Sequence, residues 1–330
     1  MINRRNPCKA NSLIETPKDI FRRGFTLIEL SIVLVIIGLI VGGILVGQDL
    51  IAAAAIRAQI TQIERYNTAV NTFRGKYGYL PGDIPDPQAS QFGFSARGQY
   101  AGEGDGDGII MGLFANAPNS NAGGAQSMAG ENAMFWEDLS TAKLIDQTFN
   151  TATSTAIQAC LTDVTNTSKY YPQAKLGNNN FVFVVSDGYY PAGGPWVGSG
   201  VNYFNVSAPN LAISGQCSSG YGQIRFTGQT TFGISVNQAA LIDTKIDDGL
   251  PQSGKVMAQT VIGWTLVWAS SAPNGFSNGL HGIAGPAYTT MTPGTSTTCY
   301  DNGSGSGAMQ YSTGQNNGAG LNCALSFKFQ

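Results

Sequence analysis

The sequence predicts an α+β chain in which a long N-terminal helix, membrane-spanning and then amphipathic, packs on a mainly antiparallel β-sheet head with long loops. Three observations predict it. Residues 30–47 form a run of eighteen without a charge and with Ser31 as the one hydroxyl, which is the length and polarity of a helix that crosses a bilayer. Ile56, Ile60, Ile63, Val70, Phe73 and Tyr77 then recur at helical spacing between Arg57, Gln59, Gln62, Glu64, Arg65 and Arg74, so the helix continues out of the apolar solvent with one apolar face. Beyond residues 75–86 (GKYGYLPGDIPD) the helical period stops at Gly and Pro, and short β-rich runs follow between turn residues.

The first 24 residues carry Arg4, Arg5, Lys9, Lys18, Arg22 and Arg23 against Glu15 and Asp19, a formal excess of +4. The positive-inside bias keeps that end in the cytoplasm, so the chain runs outward. Gly24 stands where the polar leader meets the apolar run, a point at which the missing side chain gives a protease close access to the backbone. Glu29 lies just past it, and an ionisable group at the edge of a bilayer helix is costly unless it finds a partner. From Phe25 to about Arg74 the helix would measure roughly 75 Å at 1.5 Å per residue. No proline falls between Pro17 and Pro81; Gly38, Gly42, Gly43 and Gly47 are the residues that would loosen the helix or let neighbours approach. A secretory signal cut near the alanines at 52–55, or a simple single-pass anchor, are the plainer readings of the same run.

The string Gly24-Phe25-Thr26-Leu27-Ile28-Glu29-Leu30 resembles the class III signal of type IV pilins and of the pseudopilins of type II secretion. The resemblance covers about residues 22–50. It implies cleavage after Gly24 by a membrane prepilin peptidase, N-methylation of the new Phe25 terminus, and assembly with other subunits through the exposed helix on an inner-membrane platform. It also implies a role for Glu29, whose carboxylate would meet the terminal amine of a neighbouring subunit. Opposite charges in a low-dielectric bundle attract strongly and relieve each other's desolvation. Methylation leaves the amine its charge. The domain plan that follows is a cleaved leader (1–24), a long helix (25–75, of which 25–47 crosses the membrane), and a periplasmic or extracellular head (76–330) of pilin-like build. The helix-interrupting proline found in many type IV pilins is missing here.

Length and composition bound the rest. After the leader, 306 residues remain, with 12 basic and 18 acidic side chains, a net charge of −6. Such a surface does not suggest general nucleic-acid binding. Charged residues make up only 12% while Gly reaches 43 in number, a composition of exported or fibre-forming proteins. That size is about twice that expected of a major pilin and leans towards a minor or specialised subunit, with a large major pilin as the contrary reading. Beyond Cys8 in the leader, Cys160, Cys217, Cys299 and Cys323 make an even set in a segment that faces an oxidising compartment. Three pairings are open. Cys160 with Cys217 and Cys299 with Cys323 is favoured, because the second closes a Gly/Ser/Asn-rich stretch, as in the C-terminal disulfide-bounded region of many pilins.

Within the head, Glu103, Asp105 and Asp107 alternate with glycines ahead of Ile109-Ile110, like the first half of a calcium loop. Calcium is therefore an expectation for this loop, although no cofactor is required. Phe114 stands where a bidentate glutamate would close the site, so another segment has to supply it, and Glu131 is the candidate. A glycine-rich turn with solvated acids explains the same residues. Residues 131–146 read as a helix with Met134, Phe135, Leu139 and Leu144 on the core side and Trp136 as packing. Residues 181–186 read as a strand, as do 222–227 and 256–269, the latter with Trp264 and Trp268. Ser235 and Gln238 have capping-box spacing ahead of a helix at 239–245, which ends at Asp247-Asp248-Gly249-Leu250-Pro251. Asp243, Asp247 and Asp248 offer a second acidic group, which a helix end and an acidic turn also explain. From about 270 to 320 the composition predicts surface loops.

Catalysis has little support, since the one histidine, His281, stands among glycines and no nucleophile, HExxH, phosphate-loop or dinucleotide motif occurs. The sequence thus predicts a structural subunit of a type IV pilus-like filament, held in the inner membrane with its head in the periplasm and then displayed on the cell surface. Two alternatives stay open: a pseudopilin of type II secretion, and an anchored adhesin that never polymerises.

Overall fold

The computed structural model describes residues 26–97, 104–111, 130–152, 167–186, 200–208, 233–262, 265–268, 298–301, 309–314 and 316–329. They fall into two units divided between Ile51 and Ala52. The expected strand at 222–227, Glu103, Cys160, Cys217, Trp264 and His281 lie outside the described residues, as do Gly24 and Phe25.

Helix α1 is Leu27–Tyr77, unbroken over 51 residues. In the first unit its large apolar side chains are all exposed; Leu27 is 90% and Leu39 73% accessible. A helix apolar on every side belongs in lipid or among other helices. From Ile56 onward the same helix is amphipathic, burying Ile56, Ile63, Tyr66, Ala69, Val70 and Phe73. Two glutamines share that buried face and clamp the backbone of the head. Gln59 Oε1 accepts the N–H of Lys175 at 2.8 Å, and Gln62 Nε2 donates to Gln173 O at 2.9 Å. Such bonds satisfy polar groups that burial would otherwise penalise.

The head is built on an antiparallel sheet. Its strands are β1 (Phe181–Ser186), β2 (Asn202–Ser207), β3 (Val256–Ile262), β4 (Thr265–Trp268) and β7 (Ala324–Lys328), in the order β1-β2-β7-β3-β4. The C-terminal strand is therefore central: Phe327 pairs with Phe204 on one side and with Val256 on the other. The single strand expected over 256–269 is instead the two antiparallel strands β3 and β4, with Val261 opposite Leu266. A second ribbon pairs β5 (Tyr300–Asp301) with β6 (Gln310–Tyr311).

Three short α-helices belong to the described part of the head. Helix α2 is Gln88–Gln91. Helix α3, Glu131–Thr141, ends three residues before Leu144, with Lys143 in the left-handed region (φ 58°). Met134, Phe135, Trp136 and Leu139 on it are fully buried, and Trp136 meets Tyr66 of α1 edge to face at 4.8 Å. Each such side chain contributes about 1.5–3 kcal/mol on burial. Helix α4, Val236–Ile246, starts with a complete capping box: Ser235 Oγ accepts the Gln238 N–H at 3.2 Å and Gln238 Oε1 accepts the Ser235 N–H at 3.1 Å. It lies against β3 and β6. Cys299 and Cys323, both fully buried, are joined by a disulfide that ties the β5 ribbon to the entry of β7.

Candidate functional site

Among the described residues three groups carry chemistry, one in the first unit and two in the head. At the start of α1, Thr26 and Glu29 form a reciprocal cap. Glu29 Oε2 accepts both the Thr26 N–H and the Thr26 hydroxyl at 2.8 Å, and Thr26 Oγ1 accepts the Glu29 N–H at 3.3 Å. Three otherwise orphaned polar groups at the helix N-terminus are thereby satisfied, and the carboxylate sits at the positive end of the helix dipole. Glu29 Oε1 accepts no hydrogen bond from any described residue. Ser31, the other hydroxyl here, donates back to Ile28 O at 2.9 Å and so adds no free polar group. Thr26 is a residue that the sequence reading passed over, though the spacing Thr26-x-x-Glu29 is itself a capping-box signal.

In the head, an acidic group forms around the loop 104–111. Asp83, Asp105 and Asp107 each offer a carboxylate oxygen within 4.8 Å of the others. Asp83 comes from the Pro81-Gly82-Asp83 turn after α1. It is 1% exposed, and its two oxygens accept the N–H groups of Gly106 at 2.7 Å and Gly108 at 2.9 Å. Glu131, at the start of α3, does the same for the loop's two ends, accepting from Gly104 at 2.9 Å and from Met111 at 2.8 Å. Asn202 of β2 closes the loop from the sheet side, accepting from Ile110 N at 2.8 Å and donating to Gly108 O at 2.7 Å.

This geometry has a cost in charge. Burial is the main cause that pushes the Asp83 carboxyl up to about 7, with Asp107 and Asp105 adding to it and the Gly108 and Gly106 N–H groups opposing it. Glu131, wholly enclosed, is held well above the usual carboxylate range by burial first and by Asp83 second. Asp105 and Asp107 remain exposed, each bonded through one oxygen to a backbone N–H two residues on. Gly104 and Gly82 are needed for the close fit. Both have positive φ, and a Cβ would stand 2.6 Å from Ile84 O at the first and 2.5 Å from Glu131 O at the second.

The structure thus brings Asp105, Asp107 and Glu131 into one neighbourhood. Glu131 acts there as a clamp on backbone N–H groups. Asp83 was not legible as a member, because its turn reads only as the end of a helix; Asn202 lies 92 residues from the N–H it receives. Oxygens of Asp83, Asp105 and Asp107 are the ones that could hold a divalent cation. The second acidic group is Asp243, Asp247 and Asp248. Asp243 accepts from the Tyr311 hydroxyl at 2.8 Å and from Gly249 N at 3.2 Å, and burial foremost pushes it up to about 7.

Comparison with known proteins singles out the group at the start of α1. A family described as the prokaryotic N-terminal methylation motif matches residues 21–45, a segment that contains Gly24, Phe25, Thr26 and Glu29. No curated protein and no solved structure matches the chain.

Proposed function

From a chain that carries the prepilin-type signature of type IV pilins and pseudopilins, we propose a structural subunit of a type IV pilus-like filament, of minor or specialised kind. Prepilin peptidase cuts after Gly24, the Phe25 amine is methylated, and the helix then holds the subunit in the inner membrane with its head in the periplasm. On an assembly platform the same helix passes from lipid into a bundle with other subunits. The function is mechanical and not enzymatic.

The observation that carries this reading is the state of α1 over residues 30–47, apolar and unpacked on all sides, with a capped carboxylate just before it. Lipid and a bundle of like helices are the two environments that satisfy such a surface. Glu29 is suited to both. Beside Thr26 its charge is partly solvated while the subunit waits in the membrane, and Oε1 is left to accept from the methylated amine of a neighbour.

N-terminal sequencing and intact mass of the protein from membrane and sheared surface fractions test the proposal. A start at N-methylated Phe25 is expected in both. An intact leader, or a start at residues 53–56, would reduce the helix to an anchor or an export signal.

A further inference from the structure

Four Asp–Gly bonds occur in the chain. Asp105–Gly106, Asp107–Gly108 and Asp248–Gly249 lie among the described residues, and Asp187–Gly188 lies outside them. The three described turns are built alike. Each aspartate accepts through Oδ1 the N–H two residues on: Asp105 from Asp107 at 3.1 Å, Asp107 from Ile109 at 2.7 Å and Asp248 from Leu250 at 2.9 Å. Aspartate commonly closes short turns in this way. Each glycine has a positive φ, 76° at Gly106, 83° at Gly108 and 74° at Gly249, where a side chain would be strained. The turn itself therefore selects aspartate followed by glycine.

That pair is chemically weak. The main-chain nitrogen after an aspartate can attack the side-chain carboxyl carbon of that aspartate, because the two atoms close a five-membered ring. The N–Cγ bond forms, the carboxyl loses its hydroxyl, and water leaves with the amide proton, so that a succinimide results. Water then reopens the ring at either carbonyl. Opening at the main-chain carbonyl leaves isoaspartate, whose backbone runs through the side chain and is one methylene longer. Glycine, which has no Cβ, leaves the attacking nitrogen unshielded. Asp105, Asp107 and Asp248 are all exposed to the water that the second step consumes.

The three turns share one more feature, which the turn geometry does not require. In each, the nitrogen that would attack is held by a buried carboxyl from elsewhere in the chain. Asp83 takes the Gly106 N–H on Oδ1 at 2.7 Å and the Gly108 N–H on Oδ2 at 2.9 Å. Asp243 takes the Gly249 N–H on Oδ1 at 3.2 Å, while its Oδ2 accepts the Tyr311 hydroxyl at 2.8 Å. One carboxyl comes from the turn after α1 and the other from α4, so the arrangement arises twice. We propose that Asp83 and Asp243 are chemical guards, which withhold the glycine nitrogens from attack, and that Asp105, Asp107 and Asp248 are the sites of isoaspartate formation once a guard is lost. The nitrogen can attack only after its hydrogen bond to the guard breaks, and bonds to a charged acceptor are the stronger kind. A carboxyl that titrates near 7 is too weak a base to strip an amide proton, so the contact restrains the nitrogen and does not activate it.

The test ages the full chain, purified in detergent, in heavy-oxygen water at pH 8. Peptide mapping with electron-driven fragmentation then reads label and isoaspartate at each of the three sites, with the parent in urea as the unguarded reference. The folded parent is expected to lag that reference at all three. Asp83→Ala raises isoaspartate at Asp105 and Asp107 about tenfold, the equivalent of about 1.4 kcal/mol, and leaves Asp248 at the parent level; Asp243→Ala does the reverse. Asp243→Asn keeps an amide oxygen for the Gly249 N–H and stays at the parent level. Asn202→Ala frees the same loop from β2 but leaves the Asp83 contacts, so Asp105 stays at the parent level there too. Where an alanine variant does not fold, Asp83→Asn serves: it keeps one acceptor oxygen and raises one bond of the pair. A folded parent that labels as fast as the urea sample would overturn the inference. So would an equal rise at all three sites in either alanine variant, or a rise at Asp105 in Asn202→Ala as large as in Asp83→Ala. Slower labelling on loss of Asp83 would make the carboxyl a base and would sink the guard.

Discussion

Replacing Glu131 should do more damage than any other single change in the head loop. The carboxyl is wholly buried and both oxygens are occupied, by Gly104 N at 2.9 Å and Met111 N at 2.8 Å. In Glu131→Ala both N–H groups are orphaned, at about 1–3 kcal/mol each, and two buried methylene groups shrink to one methyl, at about 1 kcal/mol. The sum is about 3–7 kcal/mol, a large part of the stability of an ordinary domain. Glu131→Gln keeps one acceptor and turns an NH₂ towards the other N–H, so about 1–3 kcal/mol is lost. Burial holds the Glu131 carboxyl well above its usual range, so the parent itself weakens as the group is forced to ionise, and the gap between parent and variants narrows with rising pH. Urea unfolding of the full chain in detergent, followed by tryptophan fluorescence and repeated at pH 5 and pH 8, measures all of this. Equal losses for Ala and Gln, or both variants within about 0.5 kcal/mol of the parent, would refute the clamp.

Four further outcomes are expected. Glu29→Ala blocks filament assembly and leaves the urea transition of the head unchanged, while Thr26→Val weakens the cap by about 1 kcal/mol and lowers assembly less; sheared-filament yield reads both. Asp83 and Asp243 each rise from 3.8 to about 7 on folding, so the folded chain holds protons that the unfolded chain releases. Their contribution therefore declines as pH climbs from about 4 to about 7 and is level above, and Asp243→Asn should flatten its share of a melting-temperature profile across that window. The same melts settle calcium at the 104–111 loop: a rise in melting temperature with calcium at pH 8 that vanishes at pH 5, where Asp83 is protonated, is the binding signature, and no rise at pH 8 retires it. Removing the disulfide by Cys299→Ser with Cys323→Ser releases a closed loop spanning 24 positions and should cost about 3 kcal/mol; an unchanged denaturation midpoint would contradict it.

What the sequence made legible follows from how local each signal is. The lipid-length apolar run and the Ser235…Gln238 box each lie within a single helix, so spacing alone exposes them. Strand β1 was readable because all six of its residues are buried and five are apolar or aromatic. Strands β2 and β7 were not, since polar residues take inward positions and satisfy one another across the sheet: Asn205 Nδ2 donates to Ser326 Oγ at 3.1 Å, and Ser207 Oγ donates to Asn205 Oδ1 at 2.7 Å. Such pairs erase the alternation that marks a half-buried strand. The acidic loop was seen as a ligand half-site because Asp105 and Asp107 are neighbours in sequence. Of the residues that hold it, Glu131 was named from sequence as the one that closes the loop, whereas Asp83 and Asn202 were invisible because they approach from 23 and 92 residues away.

The division near Ile51 explains why one helix can serve two purposes. Before it, the side chains are selected by solvent alone, and any apolar residue that fits a bilayer serves, which is why Gly38, Gly42, Gly43 and Gly47 meet nothing that an added Cβ would strike. After it, identity matters residue by residue. Gln59 and Gln62 must reach the backbone at 173–176, Tyr66 must meet Trp136, and the arginines must stay outward. A substitution such as Leu39→Ala should leave the head's unfolding untouched and act on membrane retention and assembly, while Phe73→Ala should cost the head about 3–5 kcal/mol and leave the anchor intact. The helix thus couples a generic apolar rod to a specific head.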